Sequence, residues 1–206
     1  MMDHFALFQQ PRRPWIDPDS LKAQFLASST HCHPDRFHLA PEPDRAAAQC
    51  RSAELNAAYL CLREPKNRLL HLLELELGSK PKAVQQLPHG TMELFVEVGE
   101  VCRQVDAFLV EKANVTAPLL KVHWFEKGMW WTDALNTLRQ KILSQHGLLV
   151  AELTRMNSAW ESAPPPGAEI RRATLPLERL EQIYRILSYI ARWTAQIEER
   201  LVQLTL

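Results

Sequence analysis

His33-Pro34-Asp35 is the stretch of this chain whose residue types and spacing could do the most chemistry. With His31, Cys32, Arg36 and His38 it gathers imidazoles, a thiol, a carboxylate and a guanidinium within eight positions. Metal binding is the first chemistry such a set suggests. The four metal-type donors need not converge, however, because Cys32 falls on an apolar helical position while Pro34 holds His33 in a loop. No metal or other cofactor is therefore expected. Catalysis is the second. The sequence has no Ser-His-Asp set, no paired catalytic carboxylates and no phosphate-cradling glycine loop, so no enzymatic activity of its own is expected. The third is recognition. Pro34 stiffens the loop, so an imidazole and a carboxylate are presented to a partner at low entropic cost.

Two helices must position that loop. Asp17-Pro18 supplies an N-cap followed by proline at the first helical position. The helix carries Leu21, Phe25, Leu26 and Cys32. It is predicted to end at Cys32, since the residue before a proline is pushed out of the α region. A loop with Pro41 and Pro43 follows, and then a helix from about Glu42 to Arg63. Its apolar positions are Ala47, Cys50, Ala53, Leu55, Ala58, Tyr59 and Leu62, and Glu64-Pro65 breaks it. A further helix holds Leu69, Leu70, Leu72, Leu73 and Leu77, with Gly78 as its C-cap. Ahead of all these, Asp3 caps a short helix carrying Phe5, Leu7 and Phe8, which the Pro11–Pro14 segment ends. Residues 1–77 thus form a first block.

Residues 78–90 read as a connector, with Gly78, Pro81, Pro88 and Gly90. Residues 91–206 form a second block of three helices, at 91–113, 118–161 (a break near Gly128 allowed) and 176–205. Their stripes are Phe95, Val98, Val101, Cys102, Val105 and Leu109, then Leu135, Leu138, Ile142, Leu149, Leu153 and Met156. The third is Leu180, Ile183, Ile186, Leu187, Ile190, Ile197, Leu201 and Leu204. Three such helices with short connections pack as an antiparallel bundle. Trp124, Phe125, Trp130 and Trp131 are read as bundle core and helix-junction packing, with a protein-contact patch as the alternative. The fold class is all-α.

Composition sets the class of partner. The 206 residues carry 24 basic and 24 acidic side chains, and no block of one sign. No nucleic acid or membrane partner is expected. The four cysteines, Cys32, Cys50, Cys61 and Cys102, form no C-x-x-C pair, and with three of them among apolar helical positions they read as buried reduced thiols. No leader or membrane-spanning run stands out, and a cytoplasmic location is the default.

Several phrases together resemble the HscB family of iron–sulfur assembly co-chaperones, which belongs to the J-domain superfamily. Phe5-Ala-Leu-Phe8 is similar to that family's opening phrase, and His33-Pro-Asp-Arg-Phe37 to its loop. Asn56-Ala-Ala-Tyr59 with Leu62, Pro65, Arg68 and Leu72-Leu73 is similar to its second-helix phrase. Leu187-Ser-Tyr189-Ile190 and Ile197-Glu-Glu199 resemble its final helix. The resemblance implies a J-domain hairpin at residues 1–77 and a client-binding three-helix bundle at residues 91–206. It also implies two partners: a DnaK- or HscA-type chaperone whose ATPase is stimulated, and an IscU-like iron–sulfur scaffold delivered as client. The chaperone-facing residues would be His33, Pro34, Asp35, Arg36, Lys22 and Asn56. The client-facing residues would be Met92, Phe95, Glu97, Glu100 and Tyr189.

Two departures from the family pattern bear on function. The helix before the loop carries only Lys22 as a basic residue, leaving Arg36, His31, Arg12 and Arg13 to assist, and Ser28 stands where an apolar core residue is expected. On the bundle, Val96-Glu-Val-Gly-Glu100-Val lacks an Arg and a Glu of the family's phrase, so these positions also read as ordinary core and surface. Alternative readings are a J-protein serving another client, or a scaffolding protein with a degenerate J-domain.

Overall fold

The computed structural model describes residues 2–81, 91–113 and 118–205; the side chains of Pro34, Asp35 and residues 118–123 are outside the described set. Most of the connector expected at 78–90 therefore lies outside the described residues. Among the described residues the α-helices in order are α1 (His4–Leu7), α2 (Pro18–Cys32), α3 (Glu42–Arg63), α4 (Pro65–Leu77), α5 (Met92–Ala113), α6 (Pro118–Glu161), α7 (Arg171–Thr174) and α8 (Leu177–Thr205). A single 3₁₀ turn, Pro34–Phe37, joins α2 to α3. No strand occurs among the described residues. The all-α class is as the sequence indicates.

The helix ends form for the reasons the sequence gives. The Asp3 carboxylate accepts from the amides of Phe5 and Ala6. Asp17 accepts from Ser20 at 2.9 Å, ahead of Pro18 at the first helical position. Gly78 ends α4 in the left-handed region at φ 73°, its amide donating to the Glu74 carbonyl.

The chain groups into two compact units, Met1–Ala83 with Val150–Tyr184, and Val84–Leu149 with Arg185–Leu206. In the first, α2 and α3 pack as a hairpin through Leu21, Leu55, Ala58 and Leu62, all buried. Phe25 stacks on Tyr59, ring centroids 4.3 Å apart. Buried Phe5 and Phe8 bring the N-terminal segment in, and α4 adds Leu69, Leu72 and Leu73. Each such side chain contributes about 1.5–3 kcal/mol when fully buried. The apolar stripes drawn on α2 and α3 are too wide. Leu26, Ala47, Cys50 and Ala53 are exposed, while Ala48, Leu55, Ala58 and Leu62 make up the narrower buried face of α3.

Buried polar groups tie this unit together. The Arg68 guanidinium donates to the carbonyls of Pro14 at 2.8 Å and Leu62 at 2.6 Å, and burial lowers its pKa to about 10. Asn157 exchanges two 3.0 Å hydrogen bonds with the backbone of Trp15. Arg171 grips Glu76 with two 2.8 Å bonds, both side chains almost wholly buried, and also donates to the Pro164 carbonyl. Arg172 donates to the Glu76 carbonyl. The Pro164–Gly167 segment is thus followed by two arginines that return to α4.

In the second unit α5 buries Val98, Cys102, Val105 and Phe108. Phe108 takes the place expected of Leu109, and Phe95 at the open end of the stripe is 41% exposed. From α6 come buried Leu135, Leu138, Ile142 and Leu149, and from α8 Ile186, Leu187, Ile190, Trp193 and Ile197. Met156 and Leu201 are only partly buried. Helix directions follow from the pairings. Glu97 meets Lys141 while Phe108 meets Trp124, so α5 and α6 are antiparallel. Phe95 meets Trp193 and Asp106 meets Arg200, so α5 and α8 run the same way. This is the up-down-up order of an antiparallel three-helix bundle.

Two details differ from expectation. α6 runs unbroken through Gly128, since one helical glycine costs only about 1 kcal/mol against alanine. The aromatic cluster is not core: Phe125 is 70% and Trp130 61% exposed. Residues 124, 125, 130 and 131 spread around the helix and cannot share one face. Trp124 packs on Phe108, and Trp131 meets Trp130 edge-on.

Candidate functional site

The loop at the hairpin's tip is built from both helices. His33 closes α2 in extended conformation (φ −62°, ψ 127°), as its position before Pro34 demands. The 3₁₀ turn then begins, held by the Arg36 amide donating to the His33 carbonyl at 3.0 Å. The Arg36 guanidinium reaches back 3.0 Å to the Thr30 carbonyl, one of the free acceptors in the last turn of α2. His33 and Arg36 are exposed, whereas the side chains of Pro34 and Asp35 lie outside the described set. Lys22 is exposed on α2. Asn56 is exposed on α3, its amide donating to the Ser52 carbonyl.

Arg12 and Arg13 do not supply the extra basic surface expected of them. Arg12 pairs with Asp3 at 2.8 Å and Arg13 bonds Gln10, both half-buried against the N-terminal helix. Ser28 lines a cavity of about 510 Å³ with Cys32, Phe37, Ala47 and Ala48. The small side chains of Ser28 and the two alanines leave this tip of the hairpin underfilled. The metal-type donors near the loop stay apart in character: Cys32 is buried, while His31, His33 and His38 are exposed.

The residues that the resemblance marks for client binding, Met92, Phe95, Glu97 and Glu100 on α5 and Tyr189 on α8, fall into two groups. Met92, Glu97 and Glu100 line an open groove of about 530 Å³ with Glu93, Val96 and Val101. Glu97 pairs with Lys141, and Glu100 with Arg103 and Gln104. Phe95 and Tyr189 instead flank the buried Trp193, at 6.5 and 5.8 Å between ring centroids, with Arg192 over the Tyr189 ring. Sequence reasoning did not single out Trp193 or Val96. The i, i+4, i+8 spacing of Met92, Val96 and Glu100 is the signal that would have found the groove.

A third cluster was not anticipated at all. His4 of α1, Cys61 of α3 and His71 of α4 bring one donor atom each to within 4.8 Å of the others. Their ring and thiol chemistry is set by burial: desolvation takes His71 down to about 4 and His4 below its ordinary value, and lifts Cys61 to about 11. The three are 57 and 10 positions apart in sequence, so no local spacing announces them.

No family model matches the chain. A co-chaperone HscB homologue of Vibrio cholerae is 35% identical over 118 residues, covering 56% of this chain and 68% of the relative. Among solved structures, chaperone HscB from Vibrio cholerae aligns over 98% of this chain and 99% of its own, with a TM-score of 0.65 and 23% identity. Human co-chaperone protein HscB aligns over 96% and 84%, with a TM-score of 0.57 and 17% identity. The fold and the relatives together define an all-helical co-chaperone. This chain belongs to the HscB family. No helix among the described residues is long and apolar enough to cross a membrane.

Proposed function

We propose that the His33-Pro34-Asp35 loop stimulates ATP hydrolysis by a DnaK- or HscA-type chaperone, and that the α5 and α8 face delivers an IscU-like iron–sulfur scaffold to it. The hydrolytic groups belong to the chaperone, and this chain acts by biasing the chaperone's conformational equilibrium. The observation that carries the reading is the two-helix hairpin presenting His33 and Arg36 from a single 3₁₀ turn at its tip. A turn so short, braced by the Arg36 bonds to Thr30 and His33, holds its exposed groups without further ordering on contact. Arg36 lies within the turn, and Lys22 and Asn56 are exposed farther along α2 and α3. On the second face, Glu97 and Glu100 beside Met92 and Val96 suit a partner with a basic rim around an apolar anchor. Residues 1–77 would carry chaperone docking and residues 91–206 client binding, in the cytoplasm.

Single-turnover ATP hydrolysis by the chaperone tests both halves. Stimulation should vanish in Asp35→Asn with the melting curve unchanged, and should rise further when the scaffold is added to the wild type. Glu97→Ala with Glu100→Ala in the full chain should weaken scaffold binding about tenfold or more, while scaffold-free stimulation persists. Stimulation that survives Asp35→Asn would remove the loop from the mechanism. Unchanged scaffold binding in the double variant would remove the groove.

A further inference from the structure

Where α1 crosses the corner between α3 and α4, a cavity of about 490 Å³ is lined by His4, Cys61, His71 and Glu74 among others. The donor atoms of His4, Cys61 and His71 lie within 4.8 Å of one another. His4 Nδ1 is buried and has no hydrogen-bond partner, an arrangement buried polar atoms rarely tolerate. Its ring lies 4.3 Å from that of His71, centroid to centroid. Glu74, which lines the cavity but stands outside that three-donor cluster, follows His71 by three positions on the same helical face, its side chain 12% exposed and 3.9 Å from Lys80.

We propose that His4, Cys61 and His71 form a binding site for a zinc-class divalent ion, with Glu74 completing a four-coordinate set. Two imidazoles, a thiolate and a carboxylate are ligand types that such an ion accepts. Cys61 binds as the thiolate, its proton passing to solvent. One thiolate and one carboxylate then balance the two positive charges, which suits a half-buried position. Metal–ligand lengths of about 2.0–2.3 Å put tetrahedral donors roughly 3.3–3.7 Å apart, so the side chains draw together by torsion about their own bonds. The lone pair of His71 Nε2 now accepts from the His4 amide at 3.1 Å. Ligation exchanges that neutral hydrogen bond for a stronger metal bond. The ion would pin α1 to both helices that follow the His33 loop. It would also occupy the otherwise unpartnered His4 nitrogen.

Cobalt(II) titration of the metal-stripped full-length protein tests this, with zinc as competitor. One equivalent should bind, giving a thiolate-to-cobalt absorption band that zinc abolishes. Cys61→Ser should lose the band, and His4→Gln should weaken cobalt binding tenfold or more, each keeping its far-ultraviolet circular dichroism. Cys50→Ser, an exposed thiol, should keep the band. Zinc should raise the melting temperature of the wild type and not that of Cys61→Ser. No thiolate band in the wild type, or a band that survives in Cys61→Ser, overturns the site. So does a band lost on Cys32→Ser but kept in Cys61→Ser, which would move the ion to the histidines beside the loop.

Discussion

At the scale of residues, buried arginines do more for this protein than its surface charges. Arg68 carries its charge inside by donating to two carbonyls, with the Glu64 carboxylate offsetting part of the cost of burial. Arg171 has a directly bonded carboxylate in Glu76, and the pair is 6% and 2% exposed. Glu76→Gln leaves the Arg171 charge buried beside a neutral amide. It should cost about 3–5 kcal/mol, read from urea unfolding. Glu152 makes an equally short pair with Arg179, which also holds its carboxyl below the usual range, but this pair is 28% and 45% exposed. Glu152→Gln should cost less than about 1 kcal/mol in the same measurement. The geometry of the two pairs is nearly the same, and burial separates them. None of this was legible in the sequence. Arg68 was noticed only as part of a phrase, and Arg171 and Glu76 stand 95 positions apart.

At the scale of elements, local signals were legible wherever backbone chemistry decides. The Asp3 and Asp17 carboxylates cap helices, Pro18 and Pro65 stand at their first turns, α2 ends before Pro34, and Gly78 closes α4 through its left-handed backbone. Stripe width was less legible, because it depends on what packs opposite: Leu26 and Cys50 have helical spacing yet face outward. The aromatic run on α6 divides for the same reason: Trp124 packs on Phe108, while Phe125 and Trp130 face outward. The His33-Pro34-Asp35 segment was legible as a loop, while the groove beside Val96 needed the bundle to define it. Two glycines show how the local rule is tested. Gly78 sits at φ 73°, and an added Cβ would come 3.2 Å from the Arg172 guanidinium. Gly78→Ala should destabilise by about 1–2 kcal/mol. Gly99 lies in α5 with open space around its Cα, so Gly99→Ala should stabilise by up to about 1 kcal/mol. Thermal melts of the two variants should therefore move in opposite directions.

At the scale of the whole molecule, the first compact unit is discontinuous in sequence. It takes in Val150–Tyr184 as well as the hairpin, through Asn157 on Trp15 and Arg171 on Glu76. A fragment ending at residue 81 keeps every helix of the hairpin and loses both of these anchors. Circular dichroism should show it melting well below the full chain, with Glu76 and the Trp15 backbone left short of partners. The Asn157 bond has a further consequence for how the protein is made. Trp15 leaves the ribosome 142 residues before the amide that will hold it. At synthesis rates of roughly 5–20 residues per second, that interval is about 7–28 s. For that time the hairpin stands incomplete on the nascent chain, with its loop already made and its supports still untranslated. Vectorial synthesis thus separates the making of the His33 loop from the completion of the compact unit that contains it.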